Sequence, residues 1–357
     1  MKETFTFSWN FNTLNEIVNY RGGNLIQEVA KNIYSFGVTL PNSPLRLINA
    51  YVVKGQNRTV LFDTGFNNPQ SEAELLQGLK ELSIEITDLE VVLTHLHSDH
   101  TGLVHLFADA GCPIYASQVD GDYTNDMING RYWEQINSLL DLYGLQADQI
   151  DNSDNPGFKN QPSKGFAFKS LTPGDEFVVG DYQFEVLDLI GHTPGHIGFF
   201  DQASGVLLSA DTVLDPITPN ITFWGFAYVD ILGSYVATLN KLKQLDISVI
   251  LPTHRKIIHQ PQVRINQLIA HHNERLQEIL DAMTLGASYT VRDISSVISW
   301  RIKAENWAEF PKSQKIFAAG ETMAHLEHLV HTNCVSMTEN ADGTLLFTKL
   351  HSEIVAF

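Results

Sequence analysis

His95-Leu96-His97-Ser98-Asp99-His100 follows Asp88-Leu89-Glu90-Val91-Val92-Leu93-Thr94, whose apolar centre reads as a short buried strand. Three imidazoles and a carboxylate therefore stand where a strand leaves the core. Imidazole nitrogen and carboxylate oxygen are good ligands for zinc and other borderline divalent ions, and a histidine must be neutral to bind. His95 and His97 can point one way from the extended end, while Asp99 and His100 turn toward a second point. One cluster can thus hold two metals. The chain has 14 histidines in 357 residues, so three in six positions with an interleaved Asp are poorly explained as a polar loop.

Further ligands follow in order. Leu189-Ile190-Gly191-His192-Thr193-Pro194-Gly195-His196 comes after the apolar run Tyr182 to Leu187, and its glycines and proline make a tight turn presenting His192. Val206-Leu207-Leu208-Ser209-Ala210-Asp211 reads as a buried strand ending in an acid, and Val249-Ile250-Leu251-Pro252-Thr253-His254 as one ending in a histidine. Ligands at the same end of several strands in a layered sheet converge, although they are far apart in sequence.

The four motifs HxHxDH, GHTPGH, SAD and PTH, spread over roughly residues 33 to 260, resemble the metallo-β-lactamase superfamily of metal-dependent hydrolases. The resemblance implies a glyoxalase II-like metal site. His95, His97 and His192 would hold one ion, Asp99, His100 and His254 a second, and Asp211 would bridge them. It also implies that Asp63, in Val60-Leu61-Phe62-Asp63-Thr64-Gly65, orients a ligand histidine through its other nitrogen. Two Zn2+ per chain are expected, with iron or manganese as alternatives. Diiron relatives that reduce oxygen tend to carry a carboxylate where this chain has His97. The last motif departs from the pattern: Thr253 and Arg255 flank His254 where the family often has glycines, which puts a bulky cation near the pocket.

Two divalent ions sharing a water lower its pKa from about 15.7 toward neutrality. Asp99 and Asp211 are then the expected catalytic carboxylates, orienting the nucleophile and passing its proton. No Gly-x-Ser-x-Gly elbow or Walker loop offers a different chemistry. The expected function is hydrolysis of a small ester, thioester or lactone. The alternative is a metal-dependent endonuclease for single-stranded RNA, and a non-catalytic metal scaffold ranks third.

Composition fits a globular enzyme with a small-molecule substrate. Apolar residues make up 43% of the chain, enough for a sizeable core, and no stretch is long and apolar enough to span a bilayer. Met1 to Asn10 lack the basic start, apolar run and cleavage site of a signal peptide. Cys112 and Cys334 have no metal-ligand spacing, so reduced thiols in a cytoplasmic protein are expected. The net charge of −18 argues against a nucleic-acid surface.

The pattern predicts an α+β fold, an αββα sandwich over residues 1–285 followed by a winged-helix domain over 286–357. Strands are expected at Tyr51 to Val53, Thr59 to Phe62, Pro113 to Ala116, Phe166 to Leu171, Phe177 to Val179, Ile197 to Phe200 and Val206 to Ser209. Helices are expected over Ser71 to Leu82, with Ser71 and Glu74 spaced as a capping box, over Asp230 to Leu245 and over Gln262 to Met283. Residues 148–164 read as a long loop at the pocket rim. After Gly286-Ala287-Ser288, helices over Thr290 to Ile302 and Lys312 to His331 precede a hairpin pairing Cys334 to Thr338 with Thr344 to Leu350. That outline resembles β-lactamase-like proteins with a C-terminal winged helix, some of which cleave RNA and others thioesters. Here Lys303, Lys312, Lys315 and Lys349 are balanced by Glu305, Glu309, Glu321, Glu327 and Glu339. A lid or a homodimer contact is therefore the expectation, ahead of nucleic acid. His325, His328 and His331 would add charge only near pH 6.

Other histidines read as structural: His196 supports its turn, and His105, His271 and His272 are solvated or hydrogen-bonded on helices. Phe223, Trp224 and Phe226 read as core, with an apolar pocket wall as the alternative. Leu40 to Leu45 reads as a flexible loop that could cover the metals.

Overall fold

The computed structural model describes residues 25–357, so the Met1 to Asn10 stretch lies outside the described residues. The first sheet has the order β1 (Gln27–Ala30), β2 (Ile33–Thr39), β3 (Leu47–Lys54), β4 (Thr59–Phe62), β5 (Leu89–Val92), β6 (Ile114–Ala116) and β7 (Lys169–Ser170). It is antiparallel through β4 and parallel from there to β7. The second runs β12 (Val249–Pro252), β11 (Val206–Ala210), β10 (Ile197–Asp201), β9 (Tyr182–Asp188) and β8 (Glu176–Val179), with β11 and β12 parallel. A third carries β13 (Ser288–Tyr289), β15 (Leu345–Lys349) and β14 (Val335–Glu339).

Strand alternation builds the layers, because successive side chains leave opposite faces. In β3, Tyr51 and Val53 enter the core between the sheets, while Val52 faces outward. In β10 and β11, Phe199 and Leu208 point inward, and Phe200 and Leu207 point out. Phe62 meets Phe199 edge to face across the inner layer, 5.0 Å between ring centres. The outer face of the first sheet is covered by α1 (Pro69–Glu81) and α3 (Val104–Asp109), just after the short α2 (Ser98–Thr101). Next in the chain come α4 (Gln118–Asn129), α5 (Arg131–Leu142) and α6 (Pro156–Lys159). The outer face of the second sheet is covered by α7 (Ile231–Leu242), α8 (Pro261–Ala282) and, past α9 (Val291–Ser295), by α10 (Lys312–His331). The order helix, sheet, sheet, helix is the expected αββα arrangement.

Several local expectations need correction. Helix α1 is capped by Asn68, whose side chain accepts from Gln70 N, and Pro69 opens it. Ser71 and Glu74 instead face β2, where Ser71 Oγ donates to Thr39 O and Thr39 N donates to Glu74. The strand expected over Phe166 to Leu171 shrinks to two residues. The helix expected over Thr290 to Ile302 stops at Ser295, because α8 captures the following segment: Ser299 N donates to Glu278, Arg275 donates to Ser299 O, and the Arg275 guanidinium lies 4.5 Å from the Trp300 ring centre. Residues 148–164 hold a 3-10 turn at Asn152–Asp154 and α6 rather than an unstructured loop.

His272 is fully buried in α8, not exposed, with Nδ1 3.0 Å from His325 Nε2 of α10. His325 is equally buried and pushed down to about 3 by that burial, so it does not gain charge near pH 6. Buried side chains of α10, Ala319, Met323 and Leu326 among them, share one apolar cluster with α7 and α8. Among the described residues no helix is long and apolar enough to cross a membrane.

Candidate metal centre

The site lies at one end of the sandwich, where β5, β9, β11 and β12 release their chain. After β5 the backbone bends at His95 and Leu96 to reach His97, which stands at the N-cap of α2, and the single turn of α2 presents Asp99 and His100. His192 leaves β9 through a turn at Gly191, whose φ of +150° belongs to glycine and where a Cβ would meet Tyr235 at 2.5 Å. Asp211 follows β11 directly, and Thr253 and His254 follow β12.

All seven sequence-predicted ligands come together. Ligand atoms of His95, His97 and His192 lie within 4.8 Å of one another, as do those of Asp99, His100 and His254. Asp211 lies between these triads: Oδ2 is 3.6 Å from His100 Nε2 and 3.5 Å from His192 Nε2, and Oδ1 is 3.5 Å from His254 Nε2. His254 Nε2 is also 3.3 Å from Asp99.

Hydrogen bonds on the far side of each ring set its tautomer. His192 Nδ1 donates to Asn220 O at 2.7 Å and His254 Nδ1 to Leu47 O at 2.9 Å. His100 Nδ1 lies 2.8 Å from Asp63 Oδ2. Thr94 Oγ1 donates to the same Asp63 and so accepts from His95 Nδ1, 3.1 Å away. These contacts turn Nε2 of His100, His192 and His254 toward the cluster centre, while His95 Nε2 lies 3.1 Å from His97 Nδ1. The Nε2 atoms of His100, His192 and His254 are buried and have no hydrogen-bond partner. Buried polar atoms are nearly always paired, so three orphaned nitrogens converging on two carboxylates fit divalent ions. His196 differs. Its Nε2 accepts from Asp211 N at 3.3 Å and its Nδ1 faces Thr212 Oγ1, so its role in this structure is to support the turn.

Electrostatics divides the rings. Burial, reinforced by neighbouring imidazoles, holds His95 well below the usual histidine value and His97 at about 3, and burial also lowers His192. These are neutral bases, the form that ligates. Burial opposes charge at His100 and His254 too, but Asp63, Asp99 and Asp211 around the first, and Asp211 and Asp99 beside the second, raise them. The carboxylates respond in kind: burial would raise Asp99, yet His100 and His254 hold it at about 2.

Three groups were invisible in the motifs. Asp120, in the first turn of α4, is buried and accepts from Leu96 N at 3.0 Å, from Gly195 N at 2.8 Å and from Thr193 Oγ1 at 2.5 Å. One carboxylate thereby ties the His95–His100 loop to the His192 turn, and burial still pushes it up to about 7. Asn220 links His192 to α10, since its Nδ2 donates to Glu321 at 2.9 Å. At the same contact Phe223 N donates to Gly320 O, where a Cβ would strike Thr222. Tyr123 and Tyr132, each within 6.5 Å of Trp224 ring to ring, join an aromatic cluster in which Tyr132 and Trp224 are buried in the core. The Trp224 ring is itself 6.1 Å from His97. Only the first two had a usable sign, an acid or amide beside an apolar stretch, and that sign is common.

Comparison with known proteins agrees with this geometry. The family profile described as "Metallo-beta-lactamase superfamily" matches residues 44–254, and one described as "Metallo-beta-lactamase-like, C-terminal domain" matches residues 308–350. A Bacillus subtilis (strain 168) protein described as "Probable metallo-hydrolase YqjP" is 26% identical over 238 residues, 64% of this chain and 73% of its own length. An "Atrochrysone carboxyl ACP thioesterase" of Aspergillus fumigatus is 22% identical over 253 residues, 71% of this chain. The chain spans about half of that fungal protein, 48% of its length. A solved metallo-beta-lactamase family protein of Thermus thermophilus superposes with a TM-score of 0.73 at 23% identity, covering 90% of this chain and 99% of its own.

Proposed function

Since the chain belongs to the metallo-beta-lactamase superfamily of metallo-hydrolases, we propose that it hydrolyses a small ester, thioester or lactone at a dizinc site. His95, His97 and His192 would hold one ion and Asp99, His100 and His254 the other, with Asp211 shared. When bound, such ions bring the pKa of water from about 15.7 toward 7 and polarise a carbonyl oxygen. The observation that carries the reading is the convergence of the buried, unpartnered Nε2 atoms of His100, His192 and His254 on Asp99 and Asp211. The thioesterase named among the relatives supports the substrate class.

The chain's own groups divide the work. Asp211 is fixed by Thr253 Oγ1 and by the three surrounding imidazoles, so it is a stationary ligand. Asp99 has the more exposed side chain of the two carboxylates, 12% against 7%, and faces His254. We assign Asp99 the nucleophile's proton: it accepts the proton at a carboxylate oxygen and returns it to the departing thiolate or alkoxide. One water is consumed, the acyl C–S or C–O bond breaks, and an acid and a thiol or alcohol leave. Metal-loaded Asp99→Asn is expected to keep the fold and lose about 100-fold or more in kcat on a thioester, the usual scale of general acid–base catalysis. Circular dichroism and kinetics on a thioester, lactone and ester panel check this. Turnover equal to that of the parent chain sinks the assignment of Asp99.

We read residues 286–357 as a winged helix that backs the site, with the single-stranded RNA endonuclease reading placed second. The order β13, α9, α10, β14, β15 supports the outline. Four of its six cations are already engaged: Lys315 and Arg292 pair with Asp148 at 2.6 and 2.7 Å, Lys312 pairs with Asp154 at 3.3 Å, and Lys349 donates to Leu280 O and Met283 O at the end of α8. Phosphate binding rests on free Lys and Arg. Labelled single-stranded RNA at pH 7.5 and physiological salt is therefore expected to show no sub-micromolar anisotropy change. Tight, salt-sensitive binding would promote the nuclease reading.

A further inference from the structure

We infer that Arg46 and Arg255 form a recognition site for an anionic group, a carboxylate or a phosphate, on the part of the substrate remote from the scissile bond. The inference deepens the hydrolase reading above and rests on it for the word substrate. The two arginines bracket a single contact of the metal centre. His254 Nδ1 donates to Leu47 O at 2.9 Å; Arg255 follows His254 and Arg46 precedes Leu47. Both backbones are left-handed, with φ of +72° at Arg46 and +69° at Arg255. Non-glycine residues rarely hold that conformation, and it clusters at functional sites.

The guanidinium of Arg255 is anchored to the turn that precedes Arg46. Its Nη2 donates to Pro44 O at 2.9 Å, in the turn closed by Leu40 N donating to Arg46 O at 2.8 Å. Its Nε is buried without a partner. Neither arginine has a carboxylate partner among the described residues. Asp215, which pairs with Arg255 along the backbone, directs its carboxylate to Lys256 at 3.0 Å and to Arg264. An unpaired guanidinium couple with an unused buried N–H fits an incoming oxyanion, which accepts bidentate, charge-assisted hydrogen bonds from arginine. Arg46 is exposed and can close over such a group from the solvent side.

The test has a binding arm and a kinetic arm, both on the metal-loaded full chain. Calorimetry compares 3-(methylthio)propanoate, 2-(methylthio)ethyl phosphate and the neutral 3-(methylthio)propanamide. Kinetics compares the acetyl thioesters of 3-mercaptopropanoate and 3-mercaptopropanamide. We expect at least one anionic probe to bind about tenfold or more tightly than the amide, or about 1.4 kcal/mol. The acid thioester should show a correspondingly lower KM. In Arg46→Gln/Arg255→Gln that preference should fall to within about twofold, at unchanged metal content by elemental analysis. Arg46→Gln alone, at an exposed position, should lose part of it and keeps the test decisive if the double variant misfolds. Lys31→Gln removes the same charge from the exposed Lys31–Asp181 pair at the opposite end of β2 and should retain the preference. No preference for either anion, or a preference that survives the double variant, overturns the site. Arginine-dependent anion binding without hydrolysis of either thioester would uphold this site and overturn the hydrolase reading instead. The phosphate and carboxylate probes decide which oxyanion is preferred.

Discussion

Purified protein supplemented with zinc is expected to carry close to two divalent ions per chain, and stripping them should abolish hydrolysis and lower the unfolding temperature. The expectation follows from two triads that share Asp211 and from three buried Nε2 atoms with no other partner. Without ions, the two buried carboxylates are balanced only by His100 and His254, which they raise against the desolvation that burial imposes on a charged imidazole. Ligand binding to the native state alone stabilises it by about 4 kcal/mol per site when free metal exceeds its dissociation constant a thousandfold. Elemental analysis with thermal unfolding before and after chelation reads both quantities. One ion or none after supplementation would remove the dinuclear site. A chelated protein as stable as the loaded one would mean that metal does not bind this cluster.

Asp120→Ala should be the most damaging substitution away from the ligands themselves. It strands three donors, Leu96 N, Gly195 N and Thr193 Oγ1, at a fully buried point between the two ligand loops. Each buried donor left unsatisfied costs about 1–3 kcal/mol, partly offset by no longer burying a carboxylate, so a net loss of about 3 kcal/mol is expected. Denaturant unfolding measures it. The functional consequence is specific, because Asp120 ties the loop of His95 and His97 to the loop of His192 through hydrogen bonds to both. Metal affinity at equilibrium should therefore fall more than in a control cavity variant of similar stability, such as Leu75→Ala in the distant α1 contact. Equal metal affinities in the two variants would reduce Asp120 to a general stability element.

Much of this site was legible in the chain because its ligands are encoded locally. Each stands at the C-terminal end of an apolar run, and a strand that leaves a core there must present its next residues at one end of the sheet. Hence the αββα layering and the convergence of His95, His97, Asp99, His100, His192, Asp211 and His254 could be read before any coordinates. The local expectations that failed did so where tertiary partners overrode local signals. Ser71 and Glu74 were drawn to β2 rather than to a helix cap, and the segment after Ser295 was captured by Arg275 and Glu278.

The amino-acid sequence by itself determined the order of the candidate ligands at the ends of apolar strands, and the motifs they form carry the resemblance that implies how they divide between two ions. Only the tertiary structure decided what holds those ligands and what surrounds them. Asp120 works through backbone N–H groups 24 residues before it and 75 after it, and a backbone N–H carries no residue-type signature. Lys312, Lys315 and Lys349 of the C-terminal segment look free in composition, but packing commits them to Asp154, Asp148 and the end of α8. Arg46 and Arg255 become neighbours because the segment after β12 docks on Pro44, Leu47 and Asn49, far earlier in the chain. Charge and hydrogen-bond capacity are written in the chain, but whether they are engaged or left available depends on which segments the packed core brings together.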